Sequence, residues 1–547
     1  MIGVIADDAD RLVVREFFEL FKTPWEPYSS NRKYDVVLLC NGTSRIVEST
    51  KVVLVYSGRK LESDSTFRER KGPRFLSYDG DRIPIYGDSM TFAGSTPCFL
   101  IDEGSRECAG YLNNVAQPRV VRIGYDLFYE LRLLLTLGQP AANAAIPTLD
   151  LHISLLRDII VACGVTLIEI PPAPLGYGCI ACLTHDVDHP SIRLHRWDHT
   201  ILGFLYRAIA ASAMYFLRGR MPARDLFANW LSVLKLPFVY LGLAKDFWLE
   251  FDDSYLKAEN GIRSTYFVIP FKEHPGRTAD GPAPAIRAAK YGASDISDAI
   301  CKLKKAGCEI GLHGIDAWID SSKGRDEIDE IRQLTGDSKV GVRMHWLYSN
   351  QNSPSTLEDA GAAYDSTSGY NETVGYRAGT TQVFKPLNAR HMLELPLHAM
   401  DTALFYPSYL NLREDGAKKV ITGLVDNSFR FGGTLTVNWH DRSLAPERLW
   451  GGCYKSLIQD LKNRGSWFAT AGQAVLWFQM RRSASFDGLD GAASMRKRNQ
   501  DDELPGLRLR THHGQMTLPI RVRRSDNYDD TPVNGYQTKT TTSVTAI

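Results

Sequence analysis

The sequence lacks both a long uncharged apolar run and an excess of charge of either sign. A bilayer-spanning helix needs about 18 or more consecutive apolar residues. No such uncharged run is present, so nothing is expected to span a membrane. Lys and Arg together number 64, and Asp and Glu together number 63. Because binding to a phosphate backbone needs a basic excess, this balance excludes nucleic acid as the main partner.

Two further absences concern targeting and covalent cross-links. The N-terminus, MIGVIADDADRLVV, has no basic segment followed by an apolar one, so a secretory signal is not expected. The nine cysteines are odd in number and form no repeating array. This pattern favours reduced thiols in a cytoplasmic protein over a disulfide framework.

The chain divides into three parts, since 547 residues are too many for one hydrophobic core. Residues 1–172 contain short apolar runs such as YDVVLL and KVVLVY between helical segments, which predicts an α/β domain of unknown role. The Pro-rich stretch EIPPAPLGYG marks a boundary, and residues 173–482 follow as a second domain. Residues 483–547 are a polar tail, with a hairpin predicted in LRLRTHHGQMTLPIRVRR and disorder in DDTPVNGYQTKTTTSVTAI.

The second domain alternates strand-like runs with helical segments. This order favours parallel strands with crossover helices, in an open sheet or closed into a barrel. Several of the runs end on an ionisable residue: Asp186 and Asp188, His313, His345, His398 and His440. Catalytic groups converge at the C-terminal ends of barrel strands, so these side chains are the candidates for one site.

The segment ACLTHDVDHP contains the densest group of such residues. Asp186 and Asp188 lie at positions i and i+2 of a strand, so both side chains point to one side. Carboxylate and imidazole groups bind divalent metal ions, and a metal ion makes water a nucleophile near neutral pH. One carboxylate can hold the ion while the other accepts the proton of the water. For this motif taken alone, a solvated acidic turn is the alternative.

The motifs that follow resemble those of a known enzyme family. EIGLHGIDAW, GVRMHWLYSN, AAYDSTSGYNETVGYRAGT, LELPLHAMD and TVNWHDRS occur in that order. With the DxD motif, this series resembles the polysaccharide deacetylases of the NodB-homology type (carbohydrate esterase family four), over roughly residues 178–480. The resemblance implies a distorted (β/α)7 barrel that removes N-acetyl groups from amino sugars of a glycan. It also implies one divalent metal ion, with Zn²⁺ first and Co²⁺ or another divalent ion as alternatives.

The resemblance also implies roles for individual residues. The catalytic set would be Asp186 as base, Arg343 as the residue that steers the base, His440 as general acid and Asp365 as the carboxylate that supports the acid. Asp188 and His313 would be metal ligands. The residues expected to contact substrate are Arg377, Tyr370, Trp346 and Trp439.

The sequence departs from the family pattern at one metal ligand. The second histidine of the family's motif should follow His313 by four residues, and Ala317 stands there. Asp316 and His345 are the two candidates for the missing third ligand. His345 is favoured, because it ends the neighbouring strand run and the ends of barrel strands converge.

A long helical insertion, about residues 191–260, separates the first two barrel strands. It is rich in Phe, Tyr, Leu and Trp and contains many Arg and Lys residues. One interpretation is helices that pack on the barrel or on the N-terminal domain. The other is an interfacial helix pair at the inner face of the membrane. The chain is therefore expected in the cytoplasm, either free or peripheral at that membrane face.

Two other functions compete with deacetylation of a glycan. One is an amidase that uses the same barrel on a small C–N substrate. The other is an inactive glycan-binding protein, in which Ala317 marks the loss of the metal site. The presence of both Asp186 and His440 argues against the binding protein, since binding needs neither a base nor an acid.

Overall fold

The structure is a computed structural model that describes residues 1–40, 50–94, 97–113, 118–219, 221–487, 492–495, 504–514 and 526–533. Its described residues form an N-terminal unit built on a mixed sheet and a second unit built on a curled parallel sheet. The mixed α/β class predicted from the sequence is therefore confirmed.

The N-terminal unit contains eleven sheet strands within the described residues. They are β1 (Ile2–Ile5), β2 (Trp25–Pro27), β3 (Val36–Cys40), β4 (Val52–Tyr56), β5 (Phe67–Arg70), β6 (Arg74–Tyr78), β7 (Asp81–Ile85), β8 (Ser89–Phe92), β9 (Cys98–Asp102), β10 (Cys108–Asn113) and β11 (Arg119–Ile123). The strands β2-β1-β3-β4-β11 run parallel, and the sheet continues through antiparallel β10, β9, β6 and β7.

Helices α1 (Arg11–Phe21), α2 (Leu127–Thr136) and α3 (Thr148–Ala162) pack on this sheet, and β12 (Leu167–Glu169) follows them. Every residue of β3 and β4 is buried, as expected for parallel strands covered on both faces. α2 begins where the Asp126 side chain accepts hydrogen bonds from the N–H groups of Phe128 and Tyr129.

One cysteine pair corrects the expectation that all thiols are reduced. Cys98 and Cys108 form a disulfide between adjacent strands β9 and β10, with their Cα atoms 5.8 Å apart. Because the pair is set by strand register, ten residues apart in sequence, cysteine spacing did not reveal it. The remaining seven cysteines are free.

The second unit is a sheet in which every strand pair is parallel. Its strands are β13 (Ile180–Val187), β14 (Thr265–Val268), β17 (Glu309–Gly314), β18 (Val342–Met344), β19 (Ala399–Met400), β20 (Thr434–Asn438) and β21 (Trp467–Phe468). A small hairpin, β15 (Arg277–Thr278) and β16 (Gly281–Pro282), lies outside this sheet. The order is β18-β17-β14-β13-β20-β19, with β21 beside the start of β13.

The sheet curls into a distorted barrel. Beyond β18, single parallel bridges join Val342 to Asp365 and Asp365 to Glu394. On the other side, the backbone N–H of His398 donates to the Thr436 carbonyl at 3.0 Å. The chain after β18 therefore connects back toward β20, and the C-terminal ends of the strands face a common space.

Helices surround this sheet. Within the described residues they are α4 (His199–Leu205), α5 (Ser212–Leu217), α6 (Ala223–Tyr240), α7 (Phe251–Glu259), α8 (Ser297–Lys305), α9 (Ser321–Thr335), α10 (Ser353–Ala360), α11 (Asp401–Phe405), α12 (Glu414–Phe431), α13 (Gly451–Asn463) and α14 (Ala471–Ser483). All eight residues of β13 are buried. This central strand therefore has protein on both faces, and its carboxyl end is held rigidly.

Polar contacts join the two units. The Asp150 carboxylate of α3 accepts hydrogen bonds from Thr380 and Thr381 of the barrel unit, and Gln139 donates to the Tyr376 carbonyl at 2.7 Å. Arg430 forms an ion pair with Asp81. The N-terminal unit thus packs against the barrel on the side of residues 376–382.

The described residues of the polar tail include four short strands. β24 (Arg508–His512) pairs with β12 and with β25 (Tyr528–Pro532), after a separate pair β22 (Ala484–Asp487) and β23 (Ala492–Met495). The stretch predicted to be disordered begins within β25, which contains Asp529 to Pro532, and Val533 is buried. The second arm of the predicted hairpin and the chain end lie outside the described residues.

The helical insertion forms the run α4, a π-helical segment (Tyr206–Ala211) and α5, followed by α6. By length and composition, His199–Leu217 could cross a membrane, with a mean hydropathy of 1.4 and 33% of the window buried. Arg207 interrupts this helix, so it contains no long uncharged apolar run.

Candidate active site

Asp186 is buried at the carboxyl end of β13 and held by two donors. Arg343 Nη1 donates to its Oδ1 at 3.0 Å, and Asn438 Nδ2 donates to its Oδ2 at 2.7 Å. The backbone N–H of Asp186 donates in turn to Asn438 Oδ1 at 3.0 Å. Both oxygens of this carboxylate are therefore fixed in orientation.

Arg343 connects this carboxylate to the neighbouring strands. Its guanidinium is fully buried, stacks on Phe267 at 4.4 Å, and donates to Ser366 and to the Thr184 hydroxyl at 2.7 Å. Its own backbone carbonyl accepts from His313 Nδ1 at 3.0 Å. That hydrogen bond leaves His313 Nε2 with a free lone pair that faces the aspartates.

Asp188, His313 and His345 come together in the geometry of a metal site. Their ligand atoms all lie within 4.8 Å of one another. His313 Nε2 is 3.4 Å and His345 Nε2 is 3.7 Å from Asp188 Oδ1. That oxygen is buried and has no hydrogen-bond partner. A buried carboxylate oxygen without a partner is costly unless a cation binds there.

His345 owes its position to an unusual turn after β18. Trp346 and Leu347 have φ angles of 64° and 53°, a left-handed conformation that is rare for large side chains. The buried Arg287 donates from Nη2 to the His345 carbonyl at 2.8 Å and to the Ile315 carbonyl at 3.1 Å. Such strain is found where a site requires it. Here it directs the His345 imidazole toward Asp188.

The alternative ligand, Asp316, is engaged elsewhere. Its carboxylate accepts from His274 at 2.9 Å, from Lys323 at 2.9 Å and from the backbone N–H of Arg277 at 2.8 Å. Ala317 is fully buried and packs against Gly324 of α9. The loop after His313 therefore points its side chains away from Asp188.

His440 lies just beyond β20 and faces Asp188, His313 and His345. Its Nε2 is 3.8 Å from Asp188 Oδ2. Its Nδ1 hydrogen-bonds Asp401 Oδ1 at 2.6 Å, and its backbone N–H donates to Asp401 Oδ2 at 2.8 Å. Burial opposes protonation of His440, but the charge and hydrogen bond of Asp401 outweigh it and raise the pKa to about 10. The imidazolium form of a general acid is thereby stabilised.

The carboxylate that supports His440 is thus Asp401, which corrects the role expected for Asp365. Asp365 Oδ1 accepts from the N–H of Thr367 at 3.1 Å and from its hydroxyl at 2.5 Å. The backbone of Asp365 forms a single β-bridge with that of Glu394. Burial and the charge of Asp365 raise the pKa of Glu394 well above its usual value. Asp365 therefore orders the barrel wall at Thr367.

Of the four expected substrate contacts, only Trp346 lines the cavity over the site. Tyr370 is buried and donates its hydroxyl to the Gln139 carbonyl at 2.7 Å, at the contact with the N-terminal unit. Arg377 donates to the Gly369 carbonyl and lies against Gly138. Trp439 is fully buried and packs on Tyr454. These three positions are corrections: Tyr370 and Trp439 are buried, and Arg377 is exposed but does not line the cavity.

His398 shows why a histidine at a strand end is not by itself a site residue. Its Nδ1 accepts from the Thr436 N–H at 3.1 Å, and its Nε2 lies 3.3 Å from the Thr380 carbonyl. Burial lowers the pKa of His398 to about 4. It is a neutral residue that ties core segments together.

Sequence reasoning missed Asn438, Asp401 and Arg287 as residues that hold the site. Asn438 is the last residue of β20 and precedes His440 by two residues, so strand alternation could have placed its side chain at the site. Asp401 closes the motif LELPLHAMD. Arg287 lies in a loop whose sequence gives no such signal.

A cavity of about 510 Å³ opens over these strand ends. Asp186, Asp188, His313, His345 and His440 line it, together with α4 of the insertion. This volume is within the range of small-molecule sites. The residues expected to be the base, the metal ligands and the acid therefore share one accessible space.

Comparison with solved structures finds low-identity likenesses. A chain assigned as a polysaccharide deacetylase from Mycobacterium smegmatis is 17% identical, with a TM-score of 0.35, over 61% of this chain and 99% of that chain. The Xyl-CE4 domain of a multidomain xylanase from the hindgut metagenome of Trinervitermes trinervoides is 12% identical, with a TM-score of 0.25, over 55% and 92%. The peptidoglycan N-acetylglucosamine deacetylase Bc1960 is 12% identical, with a TM-score of 0.25, over 54% and 91%.

No protein-family model and no curated protein matches the chain. The likenesses to solved structures are low in identity and in TM-score. The geometry of the chain's own residues therefore carries the functional assignment.

Proposed function

We propose that this protein is a metal-dependent hydrolase that removes N-acetyl groups from amino sugars of a glycan or glycan precursor. One observation carries the proposal. A carboxylate held by two donors, Asp186, and a histidine paired with Asp401, His440, flank a cluster of one carboxylate and two imidazoles in one cavity. Amide hydrolysis needs this combination, because the attacking water must lose a proton and the leaving amine must gain one.

The residues present fit a divalent cation. Asp188, His313 and His345 offer one oxygen and two nitrogens, the donor types that Zn²⁺ binds in catalytic sites with three protein ligands. The Asp188 Oδ1 atom is buried and unpartnered, and the hydrogen bond from His313 Nδ1 leaves Nε2 as the ligand atom. When bound, such an ion supplies Lewis acidity that polarises a carbonyl and acidifies water.

The protein's own groups define the proton path. Asp186 accepts the proton of the attacking water, and its orientation is kept by Arg343 and Asn438. His440 donates a proton to the departing amine nitrogen, since an amide anion is a poor leaving group. Asp401 stabilises the imidazolium before that transfer and keeps Nε2 directed into the cavity.

We expect the purified protein to release acetate from N-acetylated oligosaccharides. A chelator should abolish the release, and Zn²⁺ or Co²⁺ should restore it, because the ligand cluster holds the cation. Acetate is measured by an enzyme-coupled assay, with Asp188→Ala as the inactive control and acetamide as a small-amide substrate. Acetate release that survives thorough metal removal would refute the mechanism. Turnover of acetamide alone would favour the small-amide hydrolase instead.

A further inference from the structure

Three arginine side chains line the cavity beside the proposed acid, and the reaction described above uses none of them. Arg207 comes from the helical insertion, and Arg442 and Arg448 come from the loop after His440. Arg442 and Arg448 are only 7% and 8% exposed. The insertion and the barrel thus contribute cations to one wall of the cavity.

These guanidinium groups have unused donors. Arg207 Nε, Arg442 Nη1, and Arg448 Nε and Nη1 are buried and make no hydrogen bond. Over the part of the chain that the structure describes, none of the three forms an ion pair with a carboxylate. Leaving charged donors buried and unpaired costs free energy. A bound anion would recover that cost.

Aromatic rings hold two of these arginines in place. Arg442 stacks on Trp248 at 4.6 Å and Arg448 on Trp450 at 4.7 Å. Arg448 Nη2 also donates to the Tyr406 hydroxyl at 2.6 Å. Their free N–H groups are therefore preorganised, which reduces the entropy lost on binding a ligand.

Two carboxylates near the arginines do not neutralise them. Asp441 accepts from the backbone N–H groups of His189 and Arg442. Glu447 accepts from Trp248 Nε1 at 3.4 Å, and its other oxygen has no partner. A third carboxylate that acts on Arg448, Asp401, is already paired with His440. Three guanidinium groups against Asp441 and Glu447 therefore leave this wall net positive. Planar guanidinium forks match the oxygens of a phosphate group.

We infer that Arg207, Arg442 and Arg448 bind a phosphate group of the substrate, so that the substrate class is an N-acetylated amino sugar joined to a phosphate or pyrophosphate. This inference rests on the proposed function for the sugar, and on the arginine geometry for the phosphate. The phosphate would fix the sugar beside His440. A neutral oligosaccharide would lack that anchor.

The test is calorimetric titration of metal-free protein, which separates binding from catalysis. N-acetylglucosamine 1-phosphate should bind at least about tenfold more tightly than N-acetylglucosamine, because each charge-assisted hydrogen bond contributes to affinity. Arg442→Gln and Arg448→Gln should bring this ratio close to one. Arg448→Lys, which keeps the charge, should preserve part of it. Arg390→Gln, at an exposed arginine paired with Asp359, is the control.

The possible outcomes test the phosphate site and the proposed deacetylation separately. Equal affinity for the two sugars, or a preference unchanged in Arg442→Gln and Arg448→Gln proteins with wild-type melting temperatures, overturns the inference. N-acetylmuramic acid bound as tightly as the phosphate sugar would show a carboxylate site instead. Acetate release without a preference for the phosphate sugar would overturn the phosphate site and support the proposed function. Arginine-dependent phosphate binding without acetate release would refute the proposed function and retain the anion site.

A second inference rests on a different observation, an apolar stripe on the outer face of α6. Phe227, Leu231, Leu234, Phe238 and Leu241 are all exposed, and Leu234 and Leu241 are 70% and 72% exposed. Their spacing of four and three residues places them on one helix face. The opposite, buried face contains Leu226, Leu236 and Val239 together with the polar Asn229 and Ser232. This helix therefore presents apolar side chains outward as well as inward.

The preceding helical run adds to this surface. Leu202, Tyr206, Ile209 and Leu217 are exposed on His199–Leu217, which has a mean hydropathy of 1.4. Exposed cations surround both helices: Arg193, Arg196, Arg218, Arg224, Lys235 and Lys245. Acidic residues are few over the same stretch, since only Asp198 and Asp225 occur between residues 191 and 245. Apolar side chains flanked by cations are typical of helices that lie on anionic membranes.

The geometry points to an anionic lipid membrane as the occupant of this surface, with α4 and α6 lying in its interface. Arg207, on the same helical run, faces the catalytic cavity. The helix is therefore bound to the barrel rather than available to cross the bilayer. The cavity would open beside the lipid headgroups.

Flotation with vesicles tests this surface. The protein should float with phosphatidylcholine vesicles that contain phosphatidylglycerol, and less with phosphatidylcholine alone. The double variant Leu234→Glu/Phe238→Glu should lose most of this binding, whereas Leu12→Glu, at an exposed apolar residue of the N-terminal unit, should not. Protein that stays unbound to anionic vesicles at low salt overturns the inference. A stable dimer that only the double variant dissociates would show that a second copy covers the surface.

Discussion

Replacing His345 by alanine is expected to abolish metal binding and acetate release together. The imidazole supplies one of three ligand atoms that lie within 4.8 Å of one another. Removing it leaves one carboxylate and one imidazole, which is too few for a stable catalytic zinc site. The loss of affinity should exceed the roughly 10–100-fold that follows loss of an outer partner of a ligand. Calorimetric titration with Zn²⁺ and Co²⁺ measures it directly.

Asp316→Asn is the matched comparison for His345→Ala. This substitution keeps the size of the buried side chain. The Asp316 carboxylate accepts hydrogen bonds from Lys323, His274 and a backbone N–H group. We expect near-normal metal affinity and turnover in this variant, with a lower melting temperature from the weakened ion pair. Normal metal affinity in His345→Ala together with its loss in Asp316→Asn would show that the third ligand is Asp316.

Asp186→Asn is expected to retain metal binding and lose most turnover. Loss of a general base reduces kcat by about 10²–10⁴-fold, and Asp186 lies outside the cluster of Asp188, His313 and His345. Asp188→Ala should lose the metal itself, because Oδ1 of Asp188 lies 3.4 Å and 3.7 Å from the Nε2 atoms of His313 and His345. Metal titration and steady-state kinetics on both proteins separate the two roles.

The amide introduced by Asp186→Asn is also expected to lower the stability of the protein. Arg343 and Asn438 both donate to the carboxylate, so one N–H group of the new amide would face a donor. Thermal unfolding should show a modest loss of stability, of about 1–3 kcal/mol for one unsatisfied buried group. If Asp186→Asn loses the metal and Asp188→Ala keeps it, the roles of the two aspartates are reversed.

The barrel could be predicted because its strands have a strong local signal. The apolar runs RSTYFVIP, CEIGLH and GTLTVNWH contain β14, β17 and β20, and each ends in the same space. The run LELPLHAM was less accurate, since only Ala399–Met400 pairs as a strand. Its earlier residues hydrogen-bond instead to the segment at Asp365 and Ser368. Barrel closure decides such pairing, and local pattern does not reveal it.

The positions of Asp186, Asp188, His313 and His345 could be predicted because strand ends fix them. The partner of His440 could not be predicted. Asp365 and Asp401 both follow strand-like segments, and only the curvature of the sheet brings Asp401 to the imidazole. Tyr370 and Arg377 likewise depend on tertiary structure, because Tyr370 is buried against Gln139 and Arg377 contacts Gly138 of the N-terminal unit.

The strands of the N-terminal unit could also be predicted only in part. Its parallel strands were visible as the runs MIGVIA, YDVVLL and KVVLVY. The antiparallel half, which includes the disulfide strands β9 and β10, was not, because its strands mix polar and apolar residues. Partly exposed strands of this kind have weak sequence patterns.

The central claim is that Asp188, His313 and His345 hold a metal ion between the base and the acid. Anomalous scattering from a crystal soaked in Zn²⁺ or Co²⁺ tests it most directly. We predict one strong peak at about 2.0–2.2 Å from a carboxylate oxygen of Asp188 and from Nε2 of both histidines. A peak at Asp316 and His274, or a site that binds without His345, would contradict the account.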